Sequence, residues 1–421
     1  MNFEYSEIQI SLQDSLLKYF LKNYTFEKRQ NFASQVSGFC DDAWKHYAEM
    51  GLLALTFPEQ YGGLIDSWVP QVQALTTETS GALGQASNVG GPHIANTVDI
   101  AVDNMWVMEC FGKTLCLEPY LSTVVMAGGA LLHYGTEQQK STLIPKIAIG
   151  ELKIAIAYQE PESRYDTHCV STLATLSELN LSGKKQWRVN GKKCVVLNAN
   201  SADHIIVTAR TSGDALDQSG ISLFLIPTNA AGLSVMSYKT HDGSRASDIE
   251  LKDVVVNEEN LISVQGNGFR VLEDILGWAN AALCAEAVGI MSKICDLTLE
   301  YLKTRKQFGV PIGKFQALQH RMADMITSTE QARSMAILAV KAQSEVDLVK
   351  RQRDISAAKA YICRSGKEVG QEAIQLHGGM GVTHEMSVAH YFKRLTLITQ
   401  TFGDFNYHIS KVGEYLLMDL Q

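Results

Sequence analysis

Apolar positions recur along this chain with two periods, and the change of period divides it in three. Near the N-terminus, Ile8, Leu12, Leu16, Leu17 and Phe20 fall at three- and four-residue intervals, the spacing of one helix face. A second amphipathic segment covers Trp44–Leu55 and ends at the turn around Pro58–Gly63. Helical spacing returns at Met105–Phe111, Tyr120–Tyr134 and Glu137–Ala148. Residues 64–103 are polar and small, and predict a helix near Val69–Thr77 followed by a glycine-rich loop at 87–92. From Leu152 the period shortens to that of strands. IAIAYQ (154–159), KCVVLN (193–198), HIIVTAR (204–210), ISLFLI (221–226) and DIELKDVVV (248–256) are β-branched runs between polar or glycine turns. They predict an all-β domain, a small barrel, with VNGKK at 189–193 as a hairpin turn. Lys184, Lys185, Lys192 and Lys193 read as solvated hairpin faces, with a CoA-phosphate contact as the lesser alternative.

After Phe269 the helical period resumes in the stripe Leu272, Ile275, Leu276, Ala279, Leu283, Ala287 and Ile290. Long helices follow at about 314–344, 348–376, 384–399 and 405–418, enough for a bundle. The pattern predicts an α+β chain: an N-terminal helical domain (1–150), a middle β domain (151–262) and a C-terminal helical bundle (263–421).

Composition narrows the function. A chain of 421 residues exceeds what one core supports. Charged residues at 19% and apolar residues at 46% are those of an ordinary globular protein, and a net charge of −8 offers no broad basic surface to nucleic acid. The longest uncharged apolar run, Val124–Leu132, falls well short of the ~20 residues a bilayer span needs. The acidic, non-basic start MNFEYSEIQI predicts no signal peptide. Eight scattered cysteines without a CxxC pair argue against zinc or a disulfide framework and for a reducing, cytoplasmic setting. His384-Glu385 followed by His390 lacks the spacing of a zinc helix, and GNG at 266–268 has no strand-helix-strand context, so neither a metal nor a dinucleotide fingerprint is expected.

Two stretches carry candidate chemistry. In 301–321, YLKTRKQFGVPIGKFQALQHR, a helical pattern runs to Phe308 and breaks at Gly309 and Pro311, which crowds Arg305 and Lys306 into a helix end. There they complement the helix dipole or reach an anion. In 371–381, QEAIQLHGGMG, another helix runs into a double glycine. Glycines admit close backbone approach and an arginine fork suits phosphate, so the pair fits a phosphate-bearing cofactor.

RKQFG followed by QLHGGMG resembles the acyl-CoA dehydrogenases, flavoenzymes that desaturate acyl-CoA thioesters in fatty acid breakdown. The resemblance covers nearly the whole chain. ALCAEAVG, YLKTRKQFGVPIG, FQALQHR and HYFKRLT are most similar to the small subunit of two-component, pimeloyl-CoA-dehydrogenase-like enzymes. The resemblance implies the same helical, β, helical architecture, FAD as cofactor, an acyl-CoA substrate and an electron-transfer flavoprotein as acceptor. It implies that Arg305 meets the FAD diphosphate of an adjacent subunit, Phe308 lies near the adenosine, and Gln375, Gly378 and Gly379 close on the cofactor from another chain. An oligomer follows, either a homodimer or homotetramer or a heterotetramer with a second dehydrogenase-like subunit. Residues 64–103 resemble an insertion.

The middle domain departs from the family pattern. The usual Y-x-T/S-E-P-G-A-G-S-D reads Tyr158-Gln159-Glu160-Pro161-Glu162-Ser163-Arg164-Tyr165-Asp166, and W-I-T-N-G reads Val195-Val196-Leu197-Asn198-Ala199. Tyr158, Gln159 and Asn198 remain as implied flavin-side contacts, while the ring-packing indole and a hydroxyl are gone. Where most members carry the base in Y-E-G-T, this chain reads Thr401-Phe402-Gly403-Asp404, and the alternative helix position is Ala279. Two acids are nearby in sequence. Asp404 is the candidate catalytic base, although the N-cap of the last helix is the leading reading for it. Glu286 stands on the apolar stripe two turns past Ala279, roughly 10 Å along, where an ion pair with a bundle arginine is the leading reading. A backbone N–H at position 402 survives the change to Phe and can polarise the thioester.

The expected activity is therefore FAD-dependent α,β-desaturation of an acyl-CoA, in a complex whose partner supplies the glutamate. A dicarboxylic, branched or bulky acyl group is one expectation, with Arg164 available to a distal carboxylate. The alternatives are a non-catalytic scaffold subunit of the same fold, and a flavin monooxygenase or nitroalkane oxidase, which oxygen consumption would expose.

Overall fold

The computed structural model describes residues 7–66, 93–177 and 185–418. The helix expected near Val69–Thr77, the loop at 87–92 and Lys184 lie outside the described residues. The N-terminal helices are α1 (Glu7–Asn23), α2 (Phe26–Ser34), α3 (Asp41–Glu49) and α4 (His93–Thr114). A helical run follows that is π-wound over Leu121–Gly128 and continues as α5 (Gly129–Tyr134), then α6 (Glu137–Ala148). The segment expected to be amphipathic as far as Leu55 is helical only to Glu49. Leu52–Leu55 are buried as turns, packed through Gly51 at φ +76.

The middle domain is a mixed sheet of β1 (Ile154–Ala157), β2 (Leu173–Leu176), β3 (Gln186–Leu197), β4 (His204–Arg210), β5 (Ile221–Pro227), β6 (Leu233–Lys239), β7 (Arg245–Asn257) and β8 (Leu261–Ile262). The hydrogen-bonded path runs β6-β7-β3-β2-β4-β5-β8, with β1 parallel beside β4, so the expected barrel is an open ladder rather than a closed one. β4 and β5 are buried along nearly their whole length, as strands covered on both faces are.

VNGKK is not a turn. β3 runs straight through it, with a register shift between Val189 and Gly191. A Cβ on Gly191 would stand 2.4 Å from Thr172 Oγ1, so glycine is there for close approach. Strand alternation then turns Lys192 outward and Lys193 inward. Lys193 is therefore no solvated lysine. It is 1% exposed, and its Nζ lies 2.7 Å from Glu160 Oε1 and 2.9 Å from Thr208 Oγ1. Burial lowers its pKa to about 8, with Glu160 opposing.

The C-terminal domain comprises α7 (Gly268–Thr304), α8 (Gln316–Ala342), α9 (Leu348–His377), α10 (Ser387–Ile398) and α11 (Phe405–Met418). By length and composition α7 could cross a membrane, but 89% of its apolar window is buried inside the protein. It packs on α4 through a reciprocal glycine contact. A Cβ on Gly112 would stand 2.1 Å from the Glu286 carbonyl oxygen, and one on Gly289 2.0 Å from that of Glu109. α7 also stops earlier than expected, at Thr304. Lys306–Gln307 and Val310–Pro311 pair as a small hairpin whose turn, Phe308 at φ +51 and Gly309 at φ +80, has the two positive angles of a tight hairpin.

One buried polar chain joins all three domains. Arg29 of α2 donates from Nη2 to the Asp242 carbonyl at 2.9 Å. The Asp242 carboxylate accepts from Arg394 Nη1 of α10 at 3.0 Å. Arg394 grips Glu286 of α7 with Nε at 2.6 Å and Nη2 at 2.8 Å. Burial works against the Asp242 carboxyl, but the Arg394 charge and hydrogen bonds from Thr240 and Ser244 hold it below the usual range.

Candidate active site

A cleft of about 410 Å³ opens where the three domains meet. The π-wound helix contributes Ser122 and Met126, the end of β1 and the residues after it Ile156, Tyr158 and Gln159, and β3 Val195 and Leu197. The end of α10 and the loop after it contribute Leu397, Gln400, Thr401 and Phe402. Tyr158 and Phe402 face each other with ring centroids 6.3 Å apart. A smaller chamber of about 50 Å³ adjoins it, sharing Leu197 and Leu397, and is lined by Asn198, Glu118, Arg245, Glu286 and Arg394.

The loop carrying Phe402 is tightly specified. Phe402 sits at φ +59, an angle uncommon for a bulky residue, and its carbonyl oxygen lies 3.1 Å from His408 Nε2. Gly403 lies against the His408 ring, where a Cβ would come within 2.5 Å. Lys359 Nζ donates to the Ile398 and Thr401 carbonyls at 2.9 and 2.7 Å.

The residues singled out in the sequence fall into separate places. Tyr158 and Gln159 line the cleft, and Asn198 lies in the adjoining chamber, its Oδ1 accepting from Ser122 Oγ at 3.2 Å. Arg305, Phe308, Gln375, Gly378 and Gly379 are exposed and line neither cavity, on two segments that approach each other where Tyr301 stacks on His377 at 4.4 Å. Asp404 lines neither the cleft nor the chamber. It caps α11 by accepting from Tyr407 N at 2.9 Å and lines a different groove, with Cys363 and Phe405. Glu286 is locked in the Arg394 fork, and Ala279 is buried in the core. Arg164 stands exposed on the cleft rim.

No Asp or Glu lines the cleft among the described residues. Burial pushes the Tyr158 phenol up, so it stays protonated at neutral pH. The cleft can therefore hold and polarise a ligand, but none of these side chains is placed to take a proton from it. Sequence reasoning missed the π-wound helix, Lys359 and the identity of Arg394. Lys359 had a signal, a lysine interrupting the stripe of Ile355, Ala358 and Ile362.

Both places fit the two ends of a flavin dinucleotide. Met126, Ile156, Leu197, Leu397 and Phe402 wall the cleft for a flat ring, with Ser122, Gln159 and Thr401 as polar groups. On the two exposed segments, a Cβ on Gly309, Gly378 or Gly379 would meet nothing within 4 Å, which leaves the main chain open to phosphate. Arg305 makes no ion pair among the described residues.

Two buried histidines predict an acid-labile fold. Burial lowers His408 from 6.5 to about 3 and His133 from 6.5 to about 4. Between those values and 6.5 the unfolded chain takes up protons that the folded chain refuses. Stability is thus full above about pH 6.5 and falls as pH drops, by about 3 kcal/mol from His408 alone on reaching pH 4. Denaturant titrations at pH 7 and pH 4 read this directly. His408→Gln should flatten the fall, and an unchanged fall would refute the assignment.

A helical domain, a mixed sheet and a helical bundle meeting over an apolar-walled cleft, with exposed glycines and a cation outside it, suit a flavin-dependent oxidoreductase. The model of the acyl-CoA dehydrogenase middle domain matches residues 155–254, and that of the C-terminal domain residues 266–417. The chain belongs to the acyl-CoA dehydrogenase family, oxidoreductases that act on acyl-CoA with FAD. It is 29% identical over 391 residues to "Probable acyl-CoA dehydrogenase YngJ" of Bacillus subtilis, covering 92% of each chain. It is 30% identical to the caffeyl-CoA reductase-Etf complex subunit CarC of Acetobacterium woodii over 65% of this chain and 71% of that one. A solved variant of the Tcur3481-Tcur3483 steroid ACAD superposes with a TM-score of 0.78 at 25% identity, over 98% of this chain and 99% of that one.

Proposed function

We propose that this chain is one subunit of a heteromeric acyl-CoA dehydrogenase, in which a partner subunit supplies the carboxylate base. The observation that carries the reading is that no Asp or Glu lines the cleft among the described residues, and the resemblance puts Phe402 at the usual glutamate position. Within it, this chain binds the acyl-CoA, excludes water with Leu197, Leu397 and Phe402, and offers the Phe402 N–H to the thioester oxygen as charge develops there. FAD, when bound, supplies the hydride acceptor. Arg305, Phe308, Gln375, Gly378 and Gly379 would hold its nucleotide half against an adjacent subunit, while Tyr158, Gln159 and Asn198 stand on the ring side.

A heterotetramer suits the exposed segments, where Phe308 is 89% exposed and Arg305 is exposed too. An electron-transfer flavoprotein is the expected acceptor, in keeping with the relative CarC, named as a subunit of an Etf complex. Eight free cysteines agree with a reducing cytoplasm. Arg164 on the rim is available to an anionic acyl group.

The test is turnover of an acyl-CoA panel by the purified chain, alone and co-expressed with a second dehydrogenase-like subunit that carries the glutamate. Activity in the pair and none in the single chain is expected. Full turnover by the chain alone, abolished by Asp404→Asn, would overturn the reading. The loss of the ring-packing indole at Val195 favours a second reading, a scaffold subunit. A chain that stays colourless with added FAD would select it.

A further inference from the structure

The loop bearing Phe402 is held from beneath by a lysine whose place packing does not explain. Lys359 is fully buried on the inner face of α9, and no carboxylate lies within ion-pair distance of it among the described residues. It donates only to main-chain oxygens, those of Ile398 at 2.9 Å and Thr401 at 2.7 Å. These belong to the C-terminal end of α10 and the turn after it, where the helix dipole favours a cation. Burying an ammonium is costly without a charged partner. A methionine or leucine would fill the same space without that cost.

The Thr401 carbonyl and the Phe402 N–H are the two ends of one peptide unit. Resonance couples them, so drawing electron density to the oxygen leaves the N–H a stronger donor. On its other side Phe402 is clamped by His408, through the contact at 3.1 Å to its carbonyl oxygen. The Phe402 N–H donates to no protein group among the described residues, and the residue lines the cleft. Its peptide is therefore polarised from behind, fixed in place and left with an unspent donor.

We propose that Lys359 is a positioning residue that polarises the Thr401–Phe402 peptide, so that the Phe402 N–H meets the thioester oxygen as a strengthened, pre-aimed donor. The proposal rests on reading the cleft as the thioester site.

Isotope-edited infrared spectra of [1-¹³C]hexanoyl-CoA bound to the full chain test it, because the carbonyl stretch reports polarisation and a merely structural lysine would not move it. The bound carbonyl should absorb below its frequency in buffer. Lys359→Met should lose at least half of that downshift, and Lys359→Gln, which keeps a neutral donor, should fall between. In the active assembly Lys359→Met should lower kcat roughly tenfold with little change in KM. A folded Lys359→Met or Lys359→Gln chain with the full downshift would overturn the proposal. If neither variant folds, the wild type decides. Its ¹⁵N-labelled Phe402 amide proton should move downfield on binding, and an unmoved amide overturns the idea. A wild-type chain that binds no hexanoyl-CoA would instead sink the thioester reading of the cleft, and this proposal with it.

Discussion

Phe402→Glu is expected to give the isolated chain dehydrogenase activity it otherwise lacks, by about 100-fold or more over the parent. A positioned general base is worth on the order of 10²–10⁴ in rate. Phe402 lines the cleft, and the N–H at its own position is the one assigned to the thioester oxygen. A carboxylate there would stand among Tyr158, Leu397 and Leu197. Such apolar surroundings raise a carboxyl pKa towards neutrality, where a base works best. The gain should therefore carry a pH profile that rises as the new acid ionises, and Phe402→Gln should show none of it. Acyl-CoA turnover with an artificial electron acceptor measures both. Unchanged activity in a Phe402→Glu chain that still binds FAD and acyl-CoA would mean that this cleft does not hold the reacting carbons. The companion control is structural. Gly403 packs on His408, so a disturbed loop should show up as a loss of the His408-linked acid sensitivity.

How far the sequence reached depended on whether a feature was local. The order of helices, strands and helices is written in the apolar period, and the long helices from 348 onward fall close to where that period puts them. Where the reading failed, a tertiary contact overrode a local signal. Asn190-Gly191 is a strong hairpin signal, yet β7 pairs along both halves of β3 and absorbs the extra residue as a bulge. The same pairing turned Lys193 inward. β6 was overlooked because it lies at the sheet's end with most of its residues outside the core, so no apolar run marks it. At the site, the resemblance alone implied carboxylates at the positions of Phe402 and Ala279, and no Asp or Glu lines the cleft among the described residues. That Glu286 needs a partner was also readable, since a carboxylate on an apolar stripe cannot remain unpaired. Which partner was not, because Arg394 is 108 residues away and reaches it only through the bundle. The π-winding of Leu121–Gly128 has no signature in the residues themselves.

That arginine also carries the largest expected stability effect. Arg394→Met should destabilise the fold by about 3–5 kcal/mol, the cost of stripping the cation from a buried pair. Glu286 and Asp242 both lose it, and their side chains are only 4% and 0% exposed. The two are not equally stranded. Asp242 keeps hydrogen bonds from Thr240, the Ser244 amide and the Ser244 hydroxyl, at 2.6, 3.0 and 3.0 Å. Among the described residues the Glu286 carboxylate has no partner other than Arg394. Removing the stranded charge should therefore repair most of the damage, and Arg394→Met with Glu286→Gln should lose clearly less than the sum of the single changes. Urea denaturation of the two single variants and the double measures the coupling. Added salt should hardly alter it, since buried charges are poorly screened. Because Arg394 ties α10 to α7 and to the Asp242 loop of the sheet domain, the single variant should also loosen the cleft wall at Leu397. Ligand binding in the cleft should weaken in Arg394→Met and recover in the double variant, in step with stability. Strictly additive losses in the double variant would show that the fork does not act as one unit.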